Sequence, residues 1–173
     1  MRPLLLSCLL AACSAHRTPP EPPTPPTPPA AMSVATIYLV SAEGAPGSTP
    51  MGCGESMTPV SLEISSGTAR EEAQGALNAL LNAEDREGLS NPARGVFTAQ
   101  IEEQDGGLVV ALSGEPSFGG VCAVPRLKAP IEATLAPYSA KIQLNGSEAD
   151  WRCLGWRAGP SVPPGAAPIA CCR

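Results

Sequence analysis

The stretch TPPEPPTPPTPP, residues 18–29, limits most strongly what this chain can fold into. It holds eight of the chain's 21 prolines. A proline ring locks φ and removes the backbone donor, so such a segment can join neither a helix interior nor a sheet ladder. It forms an extended polyproline II spacer instead, rising about 3 Å per residue. Proline-rich segments also serve as ligands for aromatic grooves, but beside a membrane anchor a stalk is the simpler reading. The folded part must be built from about residue 33 onward, and what precedes the prolines must serve another purpose.

The residues before the stalk are MRPLLLSCLLAACSAH. Arg2 gives a minimal basic start, and Leu4 to Leu10 form an apolar run. A membrane-spanning helix needs about 20 apolar residues, so this run reads as the core of an export signal. Leu10-Ala11-Ala12-Cys13 resembles the bacterial lipobox. The resemblance implies cleavage before Cys13 and a lipid thioether on its sulfur. The alternative is an ordinary secretory peptide cut a few residues later, which would remove Cys13. The expected organisation is therefore a lipoprotein signal over residues 1–12, a lipidated cysteine and proline-rich linker over 13–32, a domain over 33–147, and a Cys/Pro/Gly-containing tail over 148–173.

Charge narrows the partners. From residue 33 the chain keeps fifteen of its 16 acids (all but Glu21) and nine of its 11 Lys and Arg (all but Arg2 and Arg17), a net charge of −6. Nucleic-acid binders carry a basic patch, and Lys128 and Lys141 are the chain's lysines. An acidic surface is not drawn to anionic lipid either, so membrane contact should come from the lipid alone. With two Trp, two Tyr and two Phe, the core must be aliphatic.

Local patterns give the elements. SVATIYLVSAEG (33–44) is dense in β-branched and aromatic residues and reads as a central strand. APGSTPMGCGES reads as a loop with several turns. MTPVSLEIS (57–65) alternates Val60, Leu62 and Ile64 with polar residues, a strand with one wet face. GTAREEAQGALNALLNAEDREG is the clearest helix: Thr68 and Glu71 form a capping box, Ala69, Ala73, Ala76, Leu77, Leu80 and Leu81 recur at helical spacing, and Gly88 is placed to stop it. Strands over Val96–Gln104 and Leu108–Ser113 flank Asp105-Gly106-Gly107, which supplies the positive-φ positions of a tight hairpin. Leu127, Ile131 and Leu135 mark a second helix, with Pro125 in its first turn and Pro130 either inside it or at its true start. YSAKIQLNG closes the pattern as a strand ending on an Asn-Gly turn. The order β-β-α-β-β-α-β predicts a small α+β domain, with a sheet of about five strands and two helices on one face.

Several strings, in order, resemble the GerMN domain of sporulation and spore-germination proteins: ATIYLV, GCGESMTPVSLEI, AREEAQGALNALLNA, DGGLVVALSGEPSFGGVCAVPRLKAPIEATL and AKIQLNG, together spanning about residues 34–147. The chain departs from the family at Pro130, where a Gln is usual, at APYS before the last strand, and at Ser61, where Arg is frequent. The resemblance implies a compact domain tethered in the cell envelope. It implies no enzymatic activity and no catalytic residues to transfer.

The residues point the same way. The single histidine, His16, lies beside the stalk, so the domain has no imidazole to activate a cysteine or serine. Glu102-Glu103 should point to opposite strand faces, and Glu71-Glu72 suit a helix N-terminus. GVCAVPR and GTAREE precede helices but lack the phosphate-loop pattern. Structural zinc prefers closely paired ligands, which isolated Cys53, Cys122 and Cys153 and adjacent Cys171-Cys172 do not supply. No metal and no cofactor are expected. In an exported chain, disulfides remain. Cys53 and Cys122 both lie in Gly-rich turns that this topology can bring to one end of the sheet, and they are the expected pair. Cys153 could bond to Cys171 or Cys172, leaving one cysteine over.

The expected function is thus a non-enzymatic, lipid-anchored cell-envelope protein, on the extracytoplasmic side of a membrane, whose domain binds an envelope protein or wall component. The alternative is an envelope thiol or redox protein using a C-terminal cysteine.

Overall fold

The computed structural model describes residues 31–155. The first strand, β1 (Met32–Ala42), buries Ala35, Ile37 and Leu39 on one face. It pairs antiparallel along its length with β3 (Glu55–Ser65), whose outer neighbour is β2 (Thr49–Gly52). The short β4 (Leu89–Ser90) pairs with β1 only at Val40 and Ser41, giving the order β2-β3-β1-β4. A second sheet holds β5 (Thr98–Gln104), β6 (Gly107–Ser113) and β7 (Lys141–Leu144). β5 and β6 are antiparallel, and β6 and β7 are parallel. A parallel pair needs a long crossover, and α2 (Ala123–Leu135) supplies it.

The fold is α+β, but its strands divide between two sheets rather than sharing one of about five. Side chains end both ladders. Beyond β4, the outward amide of Tyr38 on β1 donates to Thr134 Oγ1 of α2 at 3.2 Å. On the outer edge of β5, the Gln74 side chain donates to Ala99 C=O at 3.3 Å and accepts from the Ile101 amide at 2.8 Å. A residue of α2 thus bonds to the edge of the first sheet, and Gln74 to the edge of the second.

α1 (Ala69–Asn82) is specified locally. The Thr68 amide donates to Glu71 Oε2 at 2.8 Å, and the Glu71 amide donates to Thr68 Oγ1 at 3.3 Å. Ala73, Ala76, Leu77, Leu80 and Leu81 are its buried stripe. Gly88 does not end the helix, which stops at Asn82 with Ala83 as its cap. Asn91 does the capping: its side-chain amide donates to the carbonyls of Leu80 (2.6 Å) and Ala83 (2.9 Å). Gly88 instead turns the chain into β4, with φ +72°.

The hairpin between β5 and β6 turns on Asp105 (φ 52°) and Gly106 (φ 77°), the two positive-φ positions of a type I′ turn. One main core cluster lies among both sheets and the helices, with Ile37, Leu39, Leu77, Leu80, Val110, Leu112, Ile131 and Leu135 nearly inaccessible. A smaller cluster of Ala35, Ile64 and Ala76 lies under Tyr138. Burial, and then the charge of Glu72, raises the Tyr138 phenol above its ordinary range.

Residues 148–155, expected to belong to a tail, begin with a helix that packs into the domain. α3 (Glu148–Arg152) is capped by Ser147, whose hydroxyl accepts from the Asp150 amide at 3.1 Å. Trp151 is 5% exposed, meets Phe97 edge-on at 6.3 Å, and donates Nε1–H to Glu132 Oε1 at 3.0 Å. Lys128 Nζ lies over the Trp151 ring at 5.3 Å and donates to the Trp151 carbonyl at 3.1 Å. A large ring with a satisfied N–H is an effective anchor for so short a helix.

Candidate functional site

The corner around Cys53 is where the chain's chemistry-bearing residues converge. Gly52 and Glu55 pair across the β2–β3 hairpin, so Cys53 and Gly54 are its two turn residues, with φ of 57° and 71°. A type I′ turn demands positive φ at both. Glycine and asparagine adopt that conformation readily, whereas a cysteine held there carries strain of about 1 kcal/mol or more. Cys53 is kept at this tip by a bond to Cys122, with Cα atoms 6.0 Å apart and a separation of 69 positions in sequence.

Cys122 is the N-cap of α2, but it has helical φ and ψ and makes no side-chain cap. The disulfide therefore holds the start of a helix that lacks the usual polar cap. One turn on, Arg126 Nε lies 3.1 Å from Glu55 Oε2, the carboxylate of the residue that opens β3. The contact is an ion pair without linear hydrogen-bond geometry. Arg126 and Glu55 are partly exposed, at 39% and 23%, so screening keeps the pair's contribution below about 1 kcal/mol.

The loop joining β6 to α2 is clamped at both ends. At Gly114, the Asn145 side chain accepts from the backbone amide at 3.2 Å and donates to the backbone carbonyl at 3.1 Å. A side chain at Gly114 would meet the Val96 carbonyl at 2.5 Å, so only glycine permits this approach. At the other end stands the Cys122 bond. Between these clamps, Glu115, Pro116, Ser117 and Phe118 form one side of a half-open cleft of about 330 Å³. Pro92 and Val96 line it from the segment after α1, which the Gly95 amide ties to the Leu81 carbonyl at 3.1 Å. Leu127 and Arg126 line it from α2. The cleft mixes apolar rings and aliphatic groups with polar ones, since Arg126, Ser117 and the exposed acid Glu115 are all in its lining.

The other expected residues fall elsewhere. Cys153 is 2% exposed and disulfide-bonded, with a partner that is not among the described residues. The lipidation site Cys13 and the cysteines Cys171 and Cys172 lie outside the described residues, as does His16. Glu102 and Glu103 face Val109 and Leu108 across β5–β6 as successive exposed residues, which places them on opposite faces. Glu71 belongs to its capping box, where the Thr68 amide, then the Thr68 hydroxyl, hold its carboxyl below the usual carboxylate range. Among the described residues no group of three His, Cys, Asp or Glu is placed to hold a metal ion. Among them, too, no helix is long and apolar enough to cross a membrane.

Sequence reasoning missed three features. The Glu55–Arg126 pair joins residues far apart in the chain and had no local signal. The cleft depends on loop clamps that are likewise tertiary. α3 did have a signal: Ser147-x-x-Asp150 before Trp151 is a helix-start string.

No family model matches the chain. No curated protein matches it. A solved structure described as "Putative Lipoprotein from Clostridium perfringens" is similar over 67% of this chain and 76% of that one, at 13% identity and a TM-score of 0.37. A likeness that slight carries no argument about this chain's fold or function.

Proposed function

We propose that the chain is a lipid-anchored protein of the bacterial cell envelope whose α+β domain, of GerMN type, is a non-enzymatic interaction module. The observation that carries this reading is the Cys53–Cys122 bond. Stable disulfides belong to chains that leave the reducing cytosol, which agrees with the export signal and with the Leu10–Cys13 lipobox string. Lipid on Cys13 would fix the protein to the extracytoplasmic side of a membrane, and the proline-rich stalk would hold the domain away from it. The alternation of strands with α1 and α2 supports the GerMN reading, and with it a role of the sporulation or germination kind. The partner in this reading is an envelope protein or a wall component, not nucleic acid. The described domain contains no histidine, and its clustered functional groups form a staple and a cleft rather than a nucleophile beside a base.

The test is crosslinking in living cells, with a photoreactive residue placed at Ser117 or on an exposed strand residue. A defined envelope partner, or wall fragments, should be captured through the domain. Loss of function on removing only residues 1–12 and Cys13 should mimic loss of the domain. If the domain can be deleted with the anchor and stalk retained and nothing changes, the interaction reading is wrong. A redox-active thiol pair at Cys171-Cys172, found by thiol titration of the exported protein, would favour the thiol-protein alternative.

A further inference from the structure

We infer that the chain's own C-terminal segment, residues 156–173, folds back over a second groove, beside α3, and fills it with Pro168, Ile169 and Ala170, tied down by a bond from Cys153 to Cys171 or Cys172. The inference does not depend on what the domain binds. Its choice of cysteine does rest on the reading that residues 1–12 are removed and Cys13 is lipidated.

The groove has a volume of about 280 Å³. Phe118 and Pro116 of the β6–α2 loop, Leu144 of β7 and Leu154 after α3 make its lining more apolar than polar. That volume falls just short of ordinary ligand sites, about 300–1,000 Å³, and suits a few side chains rather than a whole ligand. Cys153 lines the same groove, is 2% exposed, and is disulfide-bonded to a partner that is not among the described residues. The cysteines outside those residues are Cys8, Cys13, Cys171 and Cys172. Signal cleavage removes the first and lipid blocks the second. Bridged cysteines have Cα atoms within about 7 Å of one another. A cysteine that reaches so buried a sulfur therefore brings its own neighbours into the groove, and those neighbours are Pro168, Ile169 and Ala170.

Three further features favour this occupant. The first is where the chain leaves the domain. Gly155, the last described residue, lines the groove, and at φ +91° it lies so close to α2 that a side chain there would collide with Val124. The segment therefore starts at the rim it has to cover. The second is reach. Residues 156–170, fifteen in all, separate Gly155 from Cys171, and about 3.3 Å per extended residue is ample for a return. The third is charge. The groove carries two acids, Glu115 and Asp150, whereas residues 156–173 carry Arg157 and Arg173 and no acid. The groove also shares Glu115, Pro116 and Phe118 with the cleft beside Cys122, so a segment seated here backs one wall of that cleft.

The experiment joins disulfide mapping to carbene footprinting, in which a photolysed diazirine labels accessible side chains of the full mature protein, non-reduced. Trypsin should release the peptide 153–157 linked to the peptide 158–173 of the same chain. Phe118, Leu144 and Leu154 should label weakly. Ile169→Asp keeps every cysteine and should raise their labelling several-fold, while Val34, 71% exposed on β1, stays constant as the reference for an intact fold. Labelling unchanged by Ile169→Asp, with the link present, overturns the inference and leaves the lipid-anchor reading standing. A link from Cys153 to Cys13 overturns both. A link from Cys153 to a second copy, seen as a dimer in the non-reduced mass, overturns the intramolecular seat.

Discussion

The two long helices of this domain are built in opposite ways. α1 needs little from the rest of the chain. Its capping box lies within four residues, its apolar stripe is regular, and its far end is closed by Asn91 only a few residues beyond. α2 has none of that. Its N-cap is a cysteine that caps nothing, Pro125 sits in its first turn, and Pro130 lies in its interior, where the missing N–H leaves the Arg126 carbonyl without its helical donor. Long-range ties compensate: the bond from Cys122 to Cys53, the ion pair from Arg126 to Glu55, the Thr134 hydroxyl on the β1 edge, and Lys128 on the Trp151 carbonyl. A helix held by its surroundings transmits their loss, and α2 provides part of the cleft. The helix that specifies itself carries no functional group of the candidate site.

The contrast can be broken most forcefully at the staple. Replacing both Cys53 and Cys122 with alanine should destabilise the domain by about 2–4 kcal/mol, measured by denaturant unfolding. Native-state hydrogen exchange should show protection lost first in residues 115–126, with α1 retaining its own. The version with Cys53→Asn and Cys122→Ala should recover about 1 kcal/mol of that loss, because asparagine accepts the positive φ that Cys53 now holds. Uniform loss of protection in both helices would remove the distinction drawn here.

Next in size is Thr134→Val, nearly isosteric and 1% exposed. It leaves the Tyr38 amide without an acceptor beside α2 and should cost about 1–3 kcal/mol. Thr68→Ala removes the α1 cap and should cost about 1 kcal/mol, with faster exchange confined to the first turn of α1. Gly75→Ala should move stability the other way, by about 0.5–1 kcal/mol, because a Cβ there meets Ile64 at an ordinary 3.5 Å inside a regular helix.

The smallest effect is that of acid on Glu71. Its folded pKa is depressed below 4.5, so its contribution is present above pH 4.5 and fades as pH falls through the lower folded value. The Glu71→Gln variant should flatten that part of the stability profile and leave the profile near neutrality unchanged.

The same contrast decides what could be read from the sequence. α1, the Asp105-Gly106 hairpin and the alternation of β3 were legible because capping, turn chemistry and periodicity act over a few residues. The proximity of Cys53 and Cys122 was legible because two glycine-rich turns, each carrying a cysteine, had few other places to meet. The division into two sheets was not, because it depends on Thr134 reaching across 96 residues and Gln74 across 27 to end each ladder. Gly88 misled because a glycine after an apolar stripe resembles a helix stop, while the capping work had passed to Asn91. The cleft was invisible for the same reason as the sheet division: Arg126 and Glu55 look like ordinary surface charges until the staple brings them to one corner.

Intact mass spectrometry of the membrane-extracted, non-reduced protein, followed by disulfide mapping, decides whether the chain is exported, lipid-anchored and stapled. The predicted result is a chain that begins at Cys13, carries a diacylglyceryl group there, and yields a linked peptide pair containing Cys53 and Cys122, separate from the bond made by Cys153. A chain with unmodified Cys13, or one in which Cys53 is alkylated without reduction, would contradict it.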